Sequence, residues 1–245
     1  MATTTTTTSD TLQESRGRPI PLGENGDRLT RMEYERRYES MPHLKKAELI
    51  EGVVHMQAAV RFEQHGRPHS DLMTWLGNYR AVTPGVEVGD NTTIRLDQDN
   101  EPQPDAFLRI APSHGGQSRT GDDGVVDGPP ELIAKVAASS ASYDLHDKLN
   151  VYRRNGVREY IVWKVLEREV VWFHLCDERF EQLQRDDAGL FKSEAFPGLW
   201  LDSANLVAGE MAQVLQVLQS GLTTSDHAEF VVRLQQEADK RAEKS

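Results

Sequence analysis

The sequence predicts a mixed α/β (α+β) fold, with a mixed central β-sheet flanked by helices and further helices at the C-terminus. Three observations carry that expectation. Segments rich in β-branched and aromatic residues are interleaved with segments of helical apolar spacing, several of the strand-like runs are joined by turns short enough for antiparallel hairpins, and no internal repeat marks a solenoid or propeller. A chain of 245 residues suits one domain with a substantial core plus tails.

In chain order, residues 1–29 are rich in Thr, Ser, Gly, Pro and charge, including the run Thr3 to Thr8. They lack both the basic start and the apolar core of a signal peptide. The expectation is a retained disordered tail and a cytoplasmic protein. Thr30 and Glu33 have capping-box spacing and open a short helix ending near Ser40, before Pro42. Ala47 to Met56 reads as two short strands split at Gly52, with Glu48 at the start. From His69 to Arg80, Leu72, Met73, Leu76 and Tyr79 share one helical face. Val86 to Val88, Thr92 to Leu96 and Gln103 to Ile110 are β-rich, and residues 111–128 form a long Gly, Ser and Asp-rich loop, mobile or part of a binding mouth.

Leu132 to Ala137 is an apolar strand with one charge, Lys135, in its middle. After a Ser-rich turn, Leu145, Leu149 and Tyr152 mark a helix that stops at Gly156. Arg158 to Val165, Glu169 to Leu175 and Arg179 to Gln184 form an antiparallel meander. Asp202 caps a helix carrying Leu206, Met211, Val214, Leu215 and Leu218, and Ser225 opens a last helix whose charged end, Glu237 to Ser245, frays. Three regions result: a tail over 1–29, a folded domain over 30–202 and a helical extension over 203–245.

Composition removes several classes of function. No apolar run approaches the roughly 20 residues of a membrane-spanning helix, so no membrane partner is expected. The single cysteine, Cys176, forms neither an internal disulfide nor a zinc cluster and reads as strand core. There is no phosphate-binding loop, no dinucleotide fingerprint, no HExxH pair and no GxSxG elbow to make Ser139, Ser140 or Ser142 a nucleophile. A formal net charge of −11 opposes non-specific attraction to a nucleic-acid backbone, although the doublets Arg36-Arg37, Lys45-Lys46 and Arg153-Arg154 allow a local basic patch.

What remains is a set of carboxylates and a lysine near strand ends: Glu48, Asp105, Asp144, Asp147 and Lys148. Phosphodiester hydrolysis uses such a set, because hard oxygen ligands hold Mg²⁺, the metal activates water, and a lysine offsets developing negative charge. Each residue taken singly also reads as a solvated charge.

The motifs Glu48-Leu-Ile-Glu-Gly52, Pro104-Asp105, Glu131 to Val136 with the following Ala-Ala-Ser-Ser, Asp144 with Asp147-Lys148, and Tyr152 through Gly156 to Trp163 together resemble the Uma-two family of restriction endonucleases, within the PD-(D/E)XK nuclease superfamily. The match covers roughly residues 30–202, in order. The resemblance implies a restriction-endonuclease-like sheet and a Mg²⁺ (or Mn²⁺) site. It implies Asp105 as the metal-binding aspartate, Glu48 as an auxiliary acid and metal ligand, Lys148 as the catalytic lysine displaced onto a helix, and nucleic acid, DNA above all, as the partner. A homodimer is a further expectation.

The family's second metal carboxylate falls at the position before Val136, where this chain has Lys135. Strand alternation puts Glu131, Ile133 and Lys135 on one face, so the ammonium points where Asp105 and a metal would meet. It repels Mg²⁺, weakening its binding, and can pair with Asp105 instead. In a second register Lys135 is the superfamily's catalytic lysine and Ile133 stands in the acid's place. One carboxylate is missing in either register, and Glu131 is the nearest substitute. The readings in play are a metal-dependent endonuclease impaired at Lys135, a non-catalytic descendant that binds nucleic acid or a protein, and a structural protein.

Overall fold

The computed structural model describes residues 20–56, 60–138 and 141–244. In chain order the elements are α1 (Arg31–Glu39), β1 (Ala47–Ile50), β2 (Val53–Met56), a π-helical turn (Phe62–Gly66), α2 (Arg67–Ala81), β3 (Val86–Asp90), β4 (Ile94–Arg95) and β5 (Ala106–Ile110). A 3₁₀ turn (Pro112–His114), β6 (Arg119–Thr120), β7 (Val126–Asp127), β8 (Leu132–Ala137), α3 (Ala141–Arg154), β9 (Glu159–Lys164), β10 (Glu169–Cys176) and β11 (Arg179–Gln182) follow. The chain ends with β12 (Phe191–Lys192), β13 (Trp200–Leu201), α4 (Ser203–Ala208), α5 (Met211–Leu222) and α6 (Ser225–Ala242).

Six strands form the central sheet in the order β11-β10-β9-β8-β5-β3. β8 and β9 are parallel and joined through α3, while the other neighbours are antiparallel, so the sheet is mixed. The apolar run of β8 is continuous because both of its faces are covered. Leu132, Ala134 and Val136 pack with Trp75, Leu76 and Tyr79 of α2, and with Leu218, Phe230 and Leu234 of α5 and α6. On the other face, Ile133 and Ala137 pack with Val151 and Tyr152 of α3 and with Ile50. Trp75 and Trp172 meet edge to face at 5.9 Å in the first of these cores. Burial of each such side chain contributes roughly 1.5–3 kcal/mol.

Gly156 adopts φ +82° after α3 and reverses the chain into β9, as the sequence expects. At Gly89, opposite Phe107 in the β3–β5 ladder, a Cβ would meet the Phe107 ring, so the missing side chain is what lets the ring lie flat over β3.

Several expectations need correction. Thr30 stands at the N-cap of α1, but its side chain accepts no capping hydrogen bond. Glu33 is drawn instead to Arg36 and Arg37, whose Nε atoms donate to it at 2.8 and 2.7 Å. The N-terminal tail is shorter on its inner side than composition suggests: Gly26 and Leu29 donate to the Val54 and Gly52 carbonyls beside β2, each at 2.8 Å. Its first 19 positions lie outside the described residues, as do Ser139 and Ser140.

Residues 111–128 are not an open loop. β6 and β7 join β4 in a small three-stranded sheet, and Arg109 Nη2 donates to Thr120 Oγ1 at 2.7 Å. The helix expected after Asp202 is two helices, because Gly209 takes φ +81° and ends α4. Asp202 still caps α4, accepting from the Asn205 N–H at 3.0 Å. α6 stays helical to Ala242, past the point where fraying is expected. Cys176 is exposed, since it ends β10 at the hairpin into β11. Among the described residues, no helix is long and apolar enough to cross a membrane.

Candidate nuclease-like site

Two short backbone ladders bring the candidate residues together. The Leu49 and Glu101 backbones exchange hydrogen bonds at 3.1 and 2.8 Å, which lays β1 against the segment leading into Asp105. Ala106 stands opposite Ala134 in the β5–β8 ladder, so one step further Asp105 stands opposite Lys135. α3 then runs across this face and turns Asp144 and Lys148, one helical turn apart, toward β1.

Asp105 is fully buried and its two oxygens have different surroundings. Oδ1 lies 2.8 Å from Lys46 Nζ, 3.0 Å from Lys135 Nζ and 3.3 Å from His65 Nε2. Oδ2 accepts the Val136 backbone N–H at 2.8 Å. Lys46 also donates to Asn91 Oδ1 at 2.9 Å. His69 Nε2 lies 3.0 Å from the Asp105 carbonyl oxygen and 3.0 Å from Asp90 Oδ1. Burial alone would raise the Asp105 pKa, but the cation of Lys135, the hydrogen bond from His65 and the cation of Lys46 hold it well below the usual range. The Lys46 pKa is lowered as well, by burial first and then by the neighbouring Lys135 charge.

Glu48 makes a second buried cluster. Lys148 Nζ donates to both of its oxygens, at 2.9 and 2.7 Å, and the Gln103 N–H donates to Oε1 at 2.8 Å. Asp144 Oδ1 lies 3.4 Å from the same ammonium. Burial would push Glu48 up, yet the charges of Lys148 and Lys135 outweigh it and bring the carboxyl down to about 2.

Glu48, Asp105, Lys135, Lys148 and Asp144 therefore converge, and Asp147 does not, being exposed on the outer side of α3. Glu131 is also remote. It lies at the opposite end of β8, where its carboxylate accepts the N–H groups of Ile110 at 2.8 Å and Gln117 at 3.2 Å. A ligand role as replacement acid fails on that placement, four residues down the strand, or roughly 13 Å. Sequence reasoning missed Lys46, His65, His69, Asn91 and Gln103. Of these, Lys46 had a signal, the basic doublet two residues before Glu48.

Carboxylates and lysines thus gather on a mixed sheet where β1, β5, β8 and α3 meet. A profile of the Uma2 family, described as "Putative restriction endonuclease", matches residues 32–204, and the chain belongs to that family. It is also similar in fold to a protein of Anabaena variabilis whose crystal structure is titled "a putative nuclease belonging to DUF820". The TM-score is 0.52 at 12% identity, over 75% of this chain and 97% of that one. No curated protein matches the chain.

Proposed function

We propose that this chain is a nucleic-acid-binding member of the nuclease family whose metal site is closed by Lys135, so that it engages nucleic acid, DNA above all, without cutting it. One observation carries the reading: Lys135 Nζ sits 3.0 Å from Asp105 Oδ1, opposite the aspartate expected to bind metal. Cleavage by this fold would call for Mg²⁺ or Mn²⁺ held by Asp105, a second carboxylate at position 135 and an auxiliary acid at Glu48.

The donor set does not fit such an ion. A hard divalent cation needs several converging oxygens, whereas Asp105 Oδ1 faces two ammonium groups and both Glu48 oxygens face Lys148. Among the described residues, no group of three or more His, Cys, Asp or Glu could hold a metal.

The test is a titration of Mg²⁺ and Mn²⁺ into wild type and Lys135→Glu, with plasmid, single-stranded DNA and RNA as substrates. Calorimetry follows metal binding in parallel. Wild type is expected to bind nucleic acid and leave it intact, and Lys135→Glu to gain both metal affinity and cleavage. Wild-type cleavage that disappears in Asp105→Asn would refute the closure of the site. A wild type that binds no nucleic acid would remove the reading altogether.

A further inference from the structure

A carboxylate exchanged for an ammonium changes the local charge by two, the charge of one divalent cation. Asp105, Glu48 and Asp144 are here balanced within the fold by Lys46, Lys135 and Lys148. Balance of charge leaves open how the hydrogen-bonding capacity is used.

An ammonium has three donors. Lys135, 4% exposed, spends one on Asp105 Oδ1, and its other two N–H groups have no acceptor among the described residues. Lys46 spends two, on Asn91 and Asp105, and keeps one. On the acceptor side, Gln103 Oε1 is buried without a partner among the described residues. Spare capacity at the Asp105 end is therefore mostly donor and cationic. A buried donor left unmade costs about 1–3 kcal/mol, so the arrangement suits a group that brings several acceptor oxygens and negative charge. Lys46, with 16% of its side chain exposed, marks the side from which that group arrives.

Resting on the nucleic-acid reading above, we infer that Lys135 and Lys46 form a metal-free binding site for a phosphodiester group, the two ammonium groups supplying the positive charge that a divalent ion supplies in a metal-dependent nuclease. The site recognises the backbone oxyanion and not the base.

The experiment measures binding of fluorescently labelled single-stranded DNA, duplex DNA and RNA by anisotropy, in EDTA and in Mg²⁺, with inorganic phosphate as competitor. Wild type is expected to bind equally well in both conditions and to be competed by phosphate. Lys46→Ala and Lys135→Met are each expected to bind about tenfold more weakly, the loss of one charge-assisted hydrogen bond to phosphate. Lys240→Ala, which removes an exposed charge on α6, is expected to bind like wild type. Lys135→Glu is expected to bind only when Mg²⁺ is present. Far-UV circular dichroism checks each fold, and Lys46→Ala, near the surface, keeps the test available should Lys135→Met unfold.

Binding by wild type that requires Mg²⁺ would overturn the inference. So would folded Lys46→Ala and Lys135→Met proteins with wild-type affinity. The second result leaves the nucleic-acid reading standing, the first leaves nucleic-acid binding but not the closure of the metal site, and absence of binding under every condition removes both.

Discussion

Removing Lys148 should reveal how strongly the buried Glu48 cluster is held. In wild type the Glu48 pKa lies at about 2 against an ordinary 4.5. A folded-state pKa below the unfolded one means stability that is fully present above pH 4.5 and lost as pH falls toward 2. At about 1.4 kcal/mol per unit, the amount is roughly 3 kcal/mol. Lys148→Met keeps the volume and removes the charge, leaving Glu48 buried beside the Gln103 N–H, with Lys135 as a more distant cation. Breaking a buried pair in this way costs about 3–5 kcal/mol at neutral pH. The sign then reverses: burial pushes the Glu48 carboxyl above its unfolded value, so the variant regains stability relative to wild type as acidification neutralises it. Urea denaturation at pH 7, 5 and 3 reads the gap directly. A gap of about 3–5 kcal/mol that narrows on acidification is expected, and Glu48→Gln/Lys148→Met should flatten it. A gap below about 1 kcal/mol that ignores pH would match a solvated pair and refute the reasoning.

Three further outcomes are expected. Glu131→Ala orphans the Ile110 and Gln117 N–H groups and should destabilise by about 1–3 kcal/mol for each. Nucleic-acid affinity should not change, because Glu131 lies at the far end of β8, and a loss of affinity in the folded variant would contradict that placement. Cys176 is exposed, with Asp177 pushing its thiol up, so it should titrate fully with a disulfide reagent in the native protein, and faster at higher pH. Protection until denaturant is added would refute the exposure. Gly89→Ala should destabilise by about 1–3 kcal/mol as Phe107 is forced off its site, measured by thermal melting.

How far the sequence foretells this structure depends on the range of the forces involved. β8, α3 and the β9 to β11 meander are legible because each is governed by local apolar spacing and a terminal glycine or turn. The Asp105–Lys135 pair is legible because strand alternation fixes which face Lys135 takes. Cys176 fails for a related reason. Strand membership alone does not say whether a residue sits mid-strand or at an exposed hairpin end. Lys46, His65 and His69 reach Asp105 across 59, 40 and 36 residues of sequence, through the Leu49–Glu101 bridge and the π-helical turn before α2. No local pattern announces a meeting of that kind.

Four of the buried carboxylates, Glu131, Glu159, Asp105 and Glu48, show why acidic residues in such similar strands play such different parts. Glu131 and Glu159 stand at the starts of the parallel pair β8 and β9. Both are satisfied by neutral donors: the Ile110 and Gln117 N–H groups for one, and for the other the Ser193 hydroxyl, the Glu194 and Ala195 N–H groups and the Trp172 indole. Burial dominates there, and both carboxyl groups are pushed up. Neutral donors tie loops to strand ends and ask for no counter-ion. Asp105 and Glu48, at the opposite end, are matched by ammonium groups and pushed down. A carboxylate that needs a cation at close range is one that could be given a metal, and here lysines on β8, on α3 and beside β1 supply that cation. The partner's charge, more than burial or acidity itself, therefore decides which of these carboxylates is pushed up and which is pushed down.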